Sequence, residues 1–166
     1  MKSFNNINKK MIAIVTLVGM TLTPQTTIAA EDEGGHHYPA HIPGIFIGIT
    51  DGDPSELTIG AEYEYKWNKK FGVGGVVEHL SGYHNGDGAT VGVALLHFHP
   101  AGGLRLSAGL GKEWVHGAHP TSYGLARLGV AYDFEVNGIG IAPTFNVDFV
   151  NNKKVIVYGI AFNKHF

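Results

Sequence analysis

Residues 56–67 read ELTIGAEYEYKW, and the alternation within them decides the fold. Leu57, Ile59, Ala61, Tyr63, Tyr65 and Trp67 occupy one parity; Glu56, Thr58, Gly60, Glu62, Glu64 and Lys66 occupy the other. Successive side chains of a β-strand point to opposite faces, so this stretch is a strand with one apolar face and one polar or glycine face. The pattern continues on both sides. IFIGIT (45–50) precedes it across the turn Asp51-Gly52-Asp53-Pro54, and FGVGGVVEH (71–79) follows after Asn68-Lys69-Lys70. LRLSAGLGKEW (104–114), GLARLGVAYDF (124–134), IGIAPTFNVDF (139–149) and VIVYGIAFNKHF (155–166) alternate in the same way. ATVGVALLHFH (89–99) is ambiguous, because Val91, Val93 and Leu95 share one parity while Leu96 and Phe98 share the other. A bulge or an apolar-lined patch would account for it.

These segments make eight strands, and no stretch shows a helical period. The separators include tight turns at 68–70, 100–103 and 135–138, and longer loops at 81–88 and 115–122. Strands joined by short connections form an antiparallel up-and-down meander. Eight of them can close into a barrel, which removes the exposed edges. The sequence therefore predicts an all-β, eight-stranded antiparallel barrel over residues 45–166.

The first thirty residues are of another kind. Lys2, Lys9 and Lys10 form a basic start, Met11–Met20 is a short apolar run, and Thr27-Ile28-Ala29-Ala30 supplies small residues. This is the pattern of a cleaved signal peptide, too short in its apolar part to span a bilayer as a helix. EDEGGHHYPAHIPG (31–44) has no periodicity and reads as a flexible tail. Without Lys2, Lys9 and Lys10, nine of the twelve Lys and Arg remain against fourteen Asp and Glu. That balance does not favour nucleic acid as a partner. The chain has no Cys, so an exported form cannot rest on disulfides.

The alternation fits either a soluble lipocalin-like binder, apolar inside, or a transmembrane barrel, apolar outside. Only 16% of residues are charged, too few for the densely charged exterior of a soluble barrel. The charges concentrate on the glycine-rich parity: Glu62, Glu64, Glu78, Glu113, Asp133 and Asp148 with Arg105 and Arg127. Facing inward, they would pair across a narrow lumen. Tyr65, Trp67, Phe71, Phe98, Tyr132, Phe134 and Phe166 all lie beside the tight turns. Aromatics gathered at one rim read as a girdle at a membrane interface. Both features favour the transmembrane barrel.

At its end the chain resembles bacterial outer-membrane β-barrel proteins, in particular the small eight-stranded OmpA and OmpX kind. In that family the last strand closes on Phe, with apolar residues at alternate positions before it. Phe166, Phe162, Ile160 and Tyr158 fit, and Lys164 departs from the pattern. The resemblance spans about residues 45–166. It implies residence in the Gram-negative outer membrane and contact with outer-membrane lipid and lipopolysaccharide. It also implies that the barrel-assembly machinery reads the Tyr158–Phe166 strand, that Phe166 sits at the periplasmic rim, and that the 31–44 tail is periplasmic.

For function, an eight-stranded lumen is just wide enough to be filled by side chains. The expectation is a small, non-enzymatic outer-membrane barrel with a structural or surface-interaction role, without a cofactor. Two further readings attach to particular residues. Outer-membrane lipid A deacylases carry a lipid-facing His-x-Ser pair completed by an acid. Here His79 and Ser81 stand two apart, but Gly82 replaces the Asn of that pattern, the next strand carries no outward Glu, and Asp87, on the loop, would have to fold back. The ten histidines raise metal binding: His36, His37 and His41 in the tail, His97 and His99 on one strand face, and His116 and His119 in a loop. No cluster carries an obvious third ligand.

Overall fold

A computed structural model of the chain describes residues 40–82 and 88–166. The predicted signal peptide, the predicted tail up to Pro39 with His36 and His37, and the loop residues 83–87 with Asp87 lie outside the described residues. The strands are β1 (Ala40–Thr50), β2 (Glu56–Lys66), β3 (Phe71–Leu80), β4 (Ala89–Phe98), β5 (Leu104–Val115), β6 (Thr121–Tyr132), β7 (Phe134–Val136), β8 (Ile139–Val150) and β9 (Lys153–Asn163). All pairings are antiparallel, in the order β6-β5-β4-β3-β2-β1-β9-β8, and pairing of β6 with β8 closes the ring.

The short β7 is not a further barrel strand. Arg127 pairs with Asp148 and Ala131 with Thr144, and beyond Asp133 the same register continues with Phe134 opposite Ile141. β6 and β7 are thus one arm of a hairpin, interrupted where the Asp133 amide turns to donate to the Gly103 carbonyl at 2.8 Å. The barrel is eight-stranded, as the alternation predicts.

Several boundaries move. β1 begins at Ala40 rather than Ile45, so 40–44, including His41, belongs to the barrel and not to the tail. The predicted loop 115–122 shrinks to 116–120, because β5 runs to Val115 and β6 starts at Thr121. The predicted turn 135–138 is a two-residue turn at Asn137-Gly138, with φ of 53° and 77°. The turn at Asn151-Asn152 likewise has φ of 48° and 59°. Positive φ at both central residues matches the right-handed twist of the flanking strands, and Asn and Gly tolerate it best.

β4 keeps an unbroken register with β3 and with β5, so it contains no bulge. Val91, Val93, Leu95 and His97 face inward, while Leu96 and Phe98 face outward. Its doubly apolar character comes from an apolar layer inside the lumen, formed with Val76, Leu80, Leu125 and Val150.

Candidate functional site

The lumen is built from the inward parity of every strand, and its centre is Arg127 on β6. Nε and Nη2 of Arg127 donate to the two carboxylate oxygens of Asp148 at 2.6 and 2.7 Å. Nη1 and Nη2 donate to those of Glu78 at 2.8 and 2.7 Å. Asp148 is its register partner on β8, whereas Glu78 reaches it across the lumen from β3. The guanidinium offers five donors in a planar fork, so two carboxylates are held bidentately at once. Arg127 and Glu78 are each only 2% exposed.

A second group lies nearer the tight turns. Glu64 Oε1 meets His99 Nε2 at 2.7 Å, and Arg105 lies 3.4 Å from Glu62, 3.7 Å from Glu64 and 3.9 Å from Asp133. Asn163 on β9 donates to Asp133 at 3.3 Å. His97 is buried beside them, and its Nδ1 has no partner among the described residues. His97 and His99 therefore belong to this charged layer rather than to a separate ligand pair. Among the described residues, no three His, Asp or Glu side chains converge with metal-holding geometry. Glu113 also faces inward and is buried, yet it joins no ion pair with the described residues. Toward the longer loops the interior is mostly apolar around Glu113, with Thr50 and Thr58 hydroxyls bonded to each other at 2.6 Å. Two cavities inside the lumen measure only about 20 and 10 Å³, room for about one water each.

The outer surface is the inverse. Ile45, Ile59, Val77, Leu96, Leu110 and Leu128 are all exposed, Leu110 by 73%. At the tight-turn rim, Trp67 stacks on Phe71 with centroids 6.4 Å apart, and Phe71 touches Phe98 at 5.2 Å. Tyr132 meets Phe134 at 4.7 Å. Tyr65 lies 5.2 Å from His41, whose Nδ1 bonds to the Tyr63 hydroxyl. His41 is thus part of the aromatic rim. Phe166 completes it: its amide donates to the His41 carbonyl at 3.0 Å, and the His41 amide donates back at 3.2 Å. Lys164, which departs from the terminal pattern, holds its ammonium 5.1 Å from the centre of the Phe166 ring. That is cation–π geometry. Trp114 is exposed on the outward face near the opposite rim.

No family model and no curated protein matches the sequence. Solved structures do match. Ail, the attachment invasion locus protein of Yersinia pestis, aligns with a TM-score of 0.56 and 14% identity over 78% of this chain and 100% of its own. The N-terminal β-barrel domain of Pseudomonas aeruginosa OprF aligns with a TM-score of 0.53 and 15% identity, covering 76% of this chain and 97% of its own. Neisserial surface protein A aligns with a TM-score of 0.50 and 9% identity, over 76% and 96%. The fold is that of a small outer-membrane β-barrel. A soluble lipocalin-like barrel is excluded, because the barrel turns its ion pairs inward and its large apolar side chains outward.

His79 and Ser81 lie at the loop-end rim of the barrel. His79 is the exposed, outward residue before the end of β3, and its ring lies 6.2 Å from that of His116. His116 Nε2 is hydrogen-bonded to the Thr90 hydroxyl at 2.8 Å. Ser81 follows the strand, with its amide donating to the Leu57 carbonyl at 3.1 Å. No hydrogen bond joins His79 to Ser81 among the described residues, so the described geometry contains no base-activated serine.

Sequence reading assembled the inward charges but not their partners. Arg127–Asp148 follows once the β6–β8 register is known. Arg127–Glu78 spans the lumen, and no local pattern encodes which residues meet across it. Asn163 was missed as a network member, although its inward parity on β9 places it beside Asp133.

Proposed function

We propose that this protein is a small, non-enzymatic integral barrel of the Gram-negative outer membrane, with a sealed lumen and a structural or surface-interaction role. One observation carries the reading: successive layers of side chains from the described residues occupy the lumen. The Glu64–His99–Arg105 group, the Arg127 double fork and the apolar layer follow one another along the axis, with cavities of only about 20 and 10 Å³. An eight-stranded barrel packed in this way has no continuous aqueous path. The apolar exterior and the aromatic rim support insertion in a bilayer, with the aromatic tight-turn rim periplasmic and the longer loops outside. The Tyr158–Phe166 strand is the segment offered to the barrel-assembly machinery. The test is planar-bilayer recording of the refolded protein, with no steady conductance expected. Large, steady openings would overturn the sealed-lumen reading.

A further inference from the structure

The ring nearest to His79 is that of a second histidine. His79 and His116 stand 6.2 Å apart between centroids, with their planes tilted by 37°. They belong to strands that do not pair: His79 is on β3, His116 follows the last residue of β5, and β4 runs between them. Two residues at the start of β4 let the rings come close. Thr90 is the register partner of His79, and its own partner on β5 is Trp114, two positions before His116 and of the same parity. Gly88 lies one step outside β4, and its carbonyl accepts from the His116 amide at 3.0 Å. A small hydroxyl side chain and a bare backbone thus occupy the span between the two imidazoles. A Cβ on Gly88 would lie 3.6 Å from Cε1 and 3.9 Å from Nε2 of His79, against that edge of the ring. The φ of 76° at Gly88 disfavours a side chain there in any case.

The pair is open to ligation, since both histidines are exposed. His116 Nε2 is bonded to the Thr90 hydroxyl at 2.8 Å, which fixes that ring. Nδ1 of His116 and both nitrogens of His79 have no hydrogen-bond partner among the described residues. A ligating imidazole typically donates its other N–H to a group such as this hydroxyl. With metal–nitrogen bonds of about 2.0–2.1 Å, two imidazoles on one ion hold their centroids about 5–6.5 Å apart. The observed separation falls within that range. The donors are two nitrogens; the chain has no thiol, and among the described residues no third His, Asp or Glu completes a cluster. Such a set suits a late first-row transition metal and is a poor one for Ca2+ or Mg2+, which take oxygen ligands.

We propose that His79 and His116 bind one transition-metal ion between them, Zn2+, Ni2+ or Cu2+, with water in the remaining coordination positions. Thr90 is a positioning residue that holds the His116 ring. The bound ion joins the end of β3 to the end of β5, which share no backbone ladder. The site is a property of the folded barrel and does not depend on which rim faces the cell exterior.

The test is calorimetric titration of the refolded barrel in detergent with zinc, and electron paramagnetic resonance of the same protein loaded with Cu2+. Both use a His36→Ala/His37→Ala background, which removes the paired histidines of the predicted tail. One zinc ion per chain is expected, with two imidazole nitrogens in the Cu2+ spectrum. His79→Ala and His116→Ala are each expected to weaken zinc binding about tenfold, equal to about 1.4 kcal/mol, and to leave one imidazole in the spectrum. His79→Phe keeps a ring at this position without a donor nitrogen, and it is expected to lose as much as His79→Ala. Thr90→Val is expected to weaken binding several-fold while both imidazoles remain in the spectrum. Gel migration of the unheated samples reads the folded state of each variant. Zinc affinity unchanged by His79→Phe and His116→Ala overturns the site, as does a spectrum with a single imidazole in the parent. Zinc binding that is present in the wild type and absent from the His36→Ala/His37→Ala background assigns the metal to the tail and overturns it as well.

Discussion

Arg127 concentrates more of the interior's electrostatics than any other side chain described above, because it answers two buried carboxylates with one planar group. Taking it away strands both. Arg127→Leu is expected to destabilise the barrel by about 3–5 kcal/mol, the usual cost of leaving a buried charge unpaired. The measurement is urea unfolding in lipid vesicles. Replacing Glu78, Arg127 and Asp148 together with apolar residues of similar volume should recover most of that loss; a triple variant as unstable as the single one would disprove this account. Glycine does the opposite job on the facing wall. Phe46 is 2% exposed and lies across Gly48 and Gly159, whose added Cβ atoms would collide with its ring and with neighbouring backbone. Gly159→Val is therefore expected to cost about 1–3 kcal/mol through overpacking, seen as a lower urea midpoint. A wild-type midpoint would show that the Phe46 ring can move aside.

Between single residues and the whole ring stand the strands, and here the sequence was most legible. Period 2 is a local property, so strand number, parity and the inward charges could be read from neighbours two positions apart. What could not be read was set by partners distant in sequence. β1 starts at Ala40 because the end of β2 and Phe166 offer backbone partners to residues whose Pro and Gly hide any periodicity. The phase of β4 was hidden because both of its faces meet apolar surroundings, lipid on one side and the luminal layer on the other. The His97 and His99 pair looked like metal ligands because spacing alone does not reveal that Glu64 and Arg105 lie opposite. The β1–β9 seam gives a prediction at this scale. Deleting Phe166 removes both backbone bonds to His41. The folded yield in cells is expected to fall several-fold, while the protein refolded in vitro unfolds at nearly the wild-type urea concentration. Equal losses in both settings would make Phe166 a stability element and not an assembly signal.

For the whole molecule, closure of the sheet means that no strand can leave without breaking ladders on both sides, so unfolding should be cooperative and slow. The unheated protein is expected to migrate differently from the boiled one in a denaturing gel, with no intermediate bands; identical migration would contradict a closed, detergent-resistant barrel. Closure also bears on where the chain needs to be cut. The first residue of β1 and the last residue of the chain meet at the same rim, joined by the reciprocal His41–Phe166 bonds. Along the ring, that seam is one more junction between neighbouring strands. A linker from Phe166 to Ala40 and a new opening at Asn151-Asn152 would give a circularly permuted chain with every ladder and every luminal pair intact. In such a chain Phe166 would be internal, so the order of strands in the gene and the assembly signal proposed for Phe166 become separable properties.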